Sequence, residues 1–363
     1  MELLYYFRDV AHYSLATFNP STSYIRDVIM HMVFTHDTVS RRALLYALLA
    51  FSSLHRSGLH RETMLFKVTA LEALSASAEE AAQGSVEAAQ HVAACMTLCA
   101  FEILLPSENS GEWLWYIRGA MKIVQRARVG SQFESGGGSM LLDWVYYHDS
   151  MSRFTLYHWR HNDLAVEAAN TTISPATRVT QYPTLANSEI TSRLQNPPHA
   201  IINVLSEVCE VLLDPSDPRS QEVEYKDRLR ALEWKVDNLP PSSSTTIVTE
   251  ESINELKLTA QLYRIATRVY LARVSQDPLD SSVNLDSLVD RCEARTEEQR
   301  AAILNLIDRT EKSGYARPMM TFRAQVQAFW IQRDLHADND LIPNYLNLMK
   351  AAISSNHALP SYA

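Results

Sequence analysis

Glycine is what this chain almost lacks: it has nine in 363 residues, three of them consecutive at Gly136–Gly138. Ordinary usage is about 7%. A turn-rich β architecture spends glycine at its reversals, so scarce glycine together with long stretches of apolar residues at helical spacing favours helices. The segment at about 38–56, VSRRALLYALLAFSSLHRS, carries apolar residues on more than one face, the pattern of a helix buried at the centre of a bundle. Gly58 follows it, where a C-terminal cap would fall.

The same reading places a helix at about 2–17, closed by Asn19-Pro20. A second starts at Thr22 or Ser23 and carries Ile25, Val28, Ile29, Met32 and Val33 at helical spacing. Helices at about 61–80, 85–105, 112–128 and 139–161 are stopped by Gly84, Pro106, Gly130 and a break near Asn162. Residues 162–197 are polar, with Pro175, Pro183, Pro197 and Pro198. They read as a long irregular connection, uncommon in a compact domain unless functional or mobile. Helices resume at about 199–213 and 218–238, the latter opened by Asp217-Pro218. Beyond the surface linker PPSSSTT (240–246) they continue near 250–275, 297–312, 318–336 and 341–354. Thr296 and Gln299 form a capping-box pattern. No repeat period argues for a solenoid. The expected fold is all-α, one large multi-helix domain of roughly a dozen helices. Its organisation is an N-terminal helical half at 1–161, the connection at 162–197 and a C-terminal helical half at 198–363.

Charge and cysteine content exclude several functions. The formal net charge is −9, with no lysine/arginine-rich block. Duplex DNA binding rests largely on phosphate neutralisation, so autonomous DNA binding is not expected. Four sparse cysteines, Cys95, Cys99, Cys209 and Cys292, suit a reducing compartment rather than a disulfide scaffold. The N-terminus, MELLYYFRDVAHYSLATF, interleaves polar residues and does not read as a signal peptide, so secretion is not expected. No apolar run approaches the roughly 20 residues of a membrane span. No nucleophile elbow, phosphate loop, dinucleotide fingerprint or zinc-protease motif occurs, and no cofactor is implied. SGGGS (135–139) lacks the lysine and spacing of a P-loop and reads as a flexible loop.

Several constellations have a chemical and a structural reading. His91, Cys95 and Cys99 recur every four residues with Glu102 nearby, yet His91 and Cys99 stand about 12 Å apart along a helix. A zinc ion needs ligands at about 2.0–2.3 Å, so a buried packing face is the expectation and no metal site is assigned. His148-Asp149 is not a dyad, because adjacent helical residues point about 100° apart; an Asp149–Arg153 pair is the simpler reading. His158 and His161, flanking Trp159, are two ligands at most. The aromatic set Trp113, Trp115, Tyr116, Trp144, Tyr146 and Tyr147 reads first as core. Aromatics with polar tips can also line a pocket for a small apolar ligand, and the candidate ligand-binding residues are Trp113, Tyr116, Trp144, Tyr147 and His148. No catalytic residue is assigned. Gly119, placed mid-helix, costs about 1 kcal/mol against alanine, and a close helix–helix approach is the expected compensation.

Three stretches together resemble the fungal-specific transcription factor domain, the helical effector module found C-terminal to binuclear zinc-cluster DNA-binding domains. LLYALLAFSSLH (44–55) is similar to that family's leucine-rich buried helix ending in histidine. MTLCAFEI (96–103) runs on to WLWYIRGAMKIV (113–124), where Trp113, Gly119 and Ala120 match and Tyr116 stands in place of the family's histidine. LLDWVYYHDSMSRFT (141–155) is similar to the family's aromatic-rich helix. The resemblance covers about 1–160, and the remainder only in helical character. The family's cluster uses six cysteines beginning C-x2-C-x6-C, which these four cysteines do not supply, and Met1 already aligns inside the regulatory domain.

The resemblance implies a regulator of transcription, in the nucleus or cytoplasm, without its own DNA-binding domain. It would act through protein partners in transcription or a small apolar ligand, with a homodimer left open. The alternative is a regulatory-domain scaffold repurposed as a cofactor-independent enzyme of cyclase or isomerase type in a fungal biosynthetic pathway. Such chemistry needs mainly positioning and leaves no motif.

Overall fold

A computed structural model describes residues 2–15, 22–35, 37–81, 84–105, 111–126, 139–159, 197–213, 217–239, 250–275, 294, 296–312, 319–335 and 345–354. Among these residues the structure is all-α: thirteen helices and no strand. In chain order they are α1 Glu2–Asp9, α2 Thr22–Phe34, α3 Val39–Ser57, α4 Arg61–Ala81, α5 Ser85–Leu104, α6 Glu112–Arg126 and α7 Ser139–His158. Then come α8 Pro197–Val211, α9 Val223–Asp237, α10 Glu250–Ser275, α11 Glu297–Lys312, α12 Met319–Leu335 and α13 Tyr345–Ile353. No helix among them is long and apolar enough to cross a membrane.

The chain forms two compact units, Met1–Asp149 and Ser150–Tyr362, with the division inside α7. In the first unit α3 packs against both α4 and α5, and α5 carries α6 on another side. Thr38 starts α3 by accepting from the Arg41 backbone N–H at 3.0 Å, and Gly58, at φ 76°, closes it. Only glycine adopts that backbone cheaply. Thr38 also donates to Gln90 Oε1 of α5 at 2.6 Å, while Gln90 Nε2 reaches the Met32 carbonyl at 2.8 Å. One buried amide therefore joins the ends of α2 and α3 to α5.

The expected helix at 2–17 divides into α1 and a 3-10 turn at Ala11–Leu15. The His12 ring engages the Phe7 carbonyl at 3.2 Å, using an acceptor at the end of the α-helix. The expected helix at 218–238 also divides. Asp217 accepts from the Arg219 N–H at 3.0 Å and opens a 3-10 turn, Pro218–Gln221, before α9 begins. Thr296 and Gln299 exchange the reciprocal bonds of a capping box, at 3.2 and 3.3 Å.

In the second unit α8 packs on α9 and α10, while α12 packs on α11 and α13. The connection from 162 to 196, the linker 240–246, the glycines at 136–138, His161 and Cys292 lie outside the described residues.

Candidate functional site

In α5 every residue from Gln90 to Glu102 is buried. His91, Cys95 and Cys99 share this helix, and they pack rather than ligate. The His91 Nδ1 is 3.0 Å from the Ser77 hydroxyl of α4, and burial holds its pKa down to about 4. Burial pushes the Cys95 thiol up to about 12. Among the described residues, no group of three His, Cys, Asp or Glu side chains is placed to hold a metal ion.

Glu102, at the end of this face, instead anchors a charge. Lys67 of α4 reaches it at 2.7 Å and reaches Glu112 of α6 at 3.2 Å. Burial disfavours both charges. The two carboxylates outweigh that for Lys67, whose pKa is raised, whereas burial prevails at Glu102 and raises its carboxyl. Phe101 lies beneath the ammonium, 5.5 Å from ring centroid to Nζ. This lysine holds three helices together.

Trp113 and Tyr116 face inward on α6, against α5. Burial, then the charges of Glu102 and Glu112, raises the Tyr116 phenol above its ordinary value. Trp144, Tyr147 and His148 are buried on α7, with the His148 ring 6.3 Å from Trp144 and 5.4 Å from Tyr147. The structure thus gathers the five candidates as an α6 pair and an α7 trio, all buried. The Trp144 Nε1 and the Tyr146 hydroxyl are buried with no hydrogen-bond partner among the described residues. An orphaned buried donor costs about 1–3 kcal/mol.

Trp115 departs from the core reading. It is 67% exposed, because it sits on the opposite side of α6 from Trp113 and Tyr116. Gly119 also departs from expectation: a Cβ there would lie 3.7 Å from Cys95 Sγ, an ordinary contact, so the α5–α6 crossing admits alanine.

Two polar nodes were not legible beforehand. In the first unit His55 is hydrogen-bonded to the Tyr6 hydroxyl at Nδ1 and to the Ser14 hydroxyl at Nε2, each at 3.0 Å, donating from one nitrogen and accepting at the other. Both nitrogens are engaged, and the histidine ties α1 and the 3-10 turn to α3. In the second unit the His158 Nε2 lies 2.8 Å from the Tyr270 hydroxyl, which also bonds the Cys209 thiol. Phe154, Tyr157 and Tyr345 make edge contacts around this group. The His158 Nδ1 has no partner among the described residues. Burial first, then Lys350, holds the histidine down to about 3. The two rings are 112 positions apart in the chain, so no local pattern announces the pair. Arg153 pairs with Glu210 of α8.

The model of the fungal-specific transcription factor domain matches residues 2–292, and the chain belongs to that family. The match runs well beyond residue 160, where the recognisable motifs end. A relative named transcription factor iacI, from Pestalotiopsis fici, is 31% identical over 94% of this chain and 90% of its own length. No solved structure matches.

Proposed function

We propose that this chain regulates transcription from the nucleus without reading DNA itself, acting through partner proteins and a small apolar ligand. Membership of the fungal-specific transcription factor family carries this reading. The relative named a transcription factor, matched along nearly the whole chain, supports it. So does the acidic balance of −9 across these residues, which opposes a phosphate backbone. The ligand part rests on α7: burying the Trp144 Nε1 unsatisfied is costly, and a ligand acceptor at the Trp144–His148 face would recover that cost.

Deleting the gene should change the levels of a defined set of transcripts, and the tagged full chain should accumulate in nuclei. Unchanged transcripts, with one pathway intermediate accumulating that the purified protein converts, would replace the regulator by an enzyme. For the ligand, Trp144→Phe keeps an aromatic ring and removes the donor. Measured from its own unliganded melting temperature, which the smaller ring lowers, it should gain less protection against heat from extracts of small apolar metabolites than wild type does. Equal protection of both forms would remove Trp144 from the site.

A further inference from the structure

The outer face of α6 joins an exposed indole to a row of cations. Trp113, Tyr116, Ile117, Ala120, Ile123 and Val124 take the inward side. Trp115, Arg118, Lys122 and Arg126 are left on the exposed side. The three cations recur every four residues, about 6 Å apart along the axis, and the strip from Trp115 to Arg126 is about 16 Å long. Among the described residues no carboxylate pairs with Lys122 or Arg126. Glu112, the acid at the start of this face, is already held by Lys67. Beside that lysine on α4, Val68 and Leu71 are exposed. Lys122 and Arg126, without an acid partner among the described residues and beside an exposed tryptophan, are out of keeping with a chain of net charge −9.

From this strip we infer a docking surface for an acidic amphipathic helix of a partner protein. The proposal rests on the partner-mediated reading above and gives the partner's chemistry. A row of side chains at every fourth residue is the ridge that most helix pairs use to interlock. A partner helix with carboxylates at i and i+4 repeats the same step of about 6 Å, so Lys122 and Arg126 each meet one acid. Trp115 supplies what charge alone does not: a large apolar anchor to bury against the partner's apolar side. Tryptophan and arginine are the side chains most enriched where binding energy concentrates. A duplex fits this strip less well. Its charge follows a broad cylinder, and one short basic strip on an acidic protein neutralises few phosphates.

The test uses the full chain and a fluorescently labelled synthetic helix-forming peptide, with Glu at every fourth position and Leu and Phe on the adjoining face. Binding is followed by anisotropy at low and physiological salt. Wild type should bind and weaken as salt rises. Trp115→Ala and the double variant Lys122→Glu with Arg126→Glu should each weaken binding about tenfold or more. Lys122→Arg should retain it, and a peptide with Lys in place of Glu should not bind. All these positions are exposed, so helical content and melting temperature should match wild type, which separates lost docking from lost fold. No binding at low salt, or equal binding by the variants, overturns the proposal. Tighter, ridge-dependent binding of a duplex oligonucleotide overturns it in favour of a nucleic-acid surface. Failure here would leave the transcript changes of the deletion strain untouched, so the regulator reading and this surface fail separately.

Discussion

Helices α5 and α11 are of similar length, 20 and 16 residues, and they solve opposite problems. α5 is enclosed from Gln90 to Glu102 and carries its polar groups into the interior, each with an assigned partner: Gln90 with Thr38, His91 with Ser77, Glu102 with Lys67. α11 buries only Ile307 among its described side chains and exposes Leu306, with acids in its first turn and Arg309 and Lys312 in its last. It is held at its start by the capping box and by Arg300 on Asp334 of α12 at 2.7 Å. Burial on several faces forces specific polar pairing. Burial on one face lets capping and surface charge suffice.

The sharpest way to break this contrast is truncation. Phe101→Ala in α5 should cost about 3–5 kcal/mol in urea unfolding, the range for a fully enclosed aromatic, while Leu306→Ala in α11 should stay within about 0.5 kcal/mol. Comparable losses would mean that exposure does not rank these helices. Next is the shared lysine. Lys67→Ala strands Glu102 in the interior and should cost about 3 kcal/mol, part of which Glu102→Gln in the same chain should restore. No restoration would assign the loss to packing of the lysine stem.

Acid should weaken both units: burial keeps His91 neutral in the first and His158 in the second, and it lowers His12 and His55 of the first as well. The folded pKa values, about 4 for His91 and about 3 for His158, lie below the unfolded value of 6.5. The native state therefore binds fewer protons. Its advantage is complete above pH 6.5 and is lost as the pH falls towards 4, at up to about 1.4 kcal/mol per pH unit per histidine. Glu102, its carboxyl raised by burial, acts in the opposite sense over the carboxylate range. His91→Gln should make the acid limb of the first unit shallower, leaving the part due to His12 and His55, while the second keeps its slope; parallel curves would remove His91 as a cause. The smallest effect is a gain. Gly119→Ala should stabilise by about 0.5–1 kcal/mol, because the new methyl fits beside Cys95 and improves helix propensity. Gly119→Leu should overpack the same crossing by about 1–3 kcal/mol. A loss on Gly119→Ala would show that the first unit has no spare room there.

Local signals carried the element order. Thr38 and Gly58 bracket α3, and α10 and α11 occupy the spans read from periodicity. Boundaries drifted where a side chain took a backbone group, as His12 does at the Phe7 carbonyl. The site was only partly legible. The burial of Trp113, Tyr116, Trp144 and Tyr147 followed from their reading as packed aromatics, but the outward turn of Trp115 did not. An aromatic cluster looks alike in composition whichever face it takes. Periodicity over the whole of α6 separates Trp115 from its neighbours, since it shares a side with Arg118 and Lys122. Nothing local joins His158 to Tyr270, because that hydrogen bond is a product of tertiary packing.

The buried thiols give each unit its own clock. Cys95 and Cys99 lie in the first unit and Cys209 in the second, all enclosed, with burial pushing both Cys95 and Cys209 up to about 12. A thiol held protonated and out of reach does not meet an alkylating reagent until its helix opens. Labelling followed peptide by peptide in a mass spectrometer therefore times the opening of the two units in one native sample, with no introduced probe. If Cys95 and Cys209 acquire label at one shared rate, the protein opens as a whole; two rates would show that one unit breathes while the other stays shut.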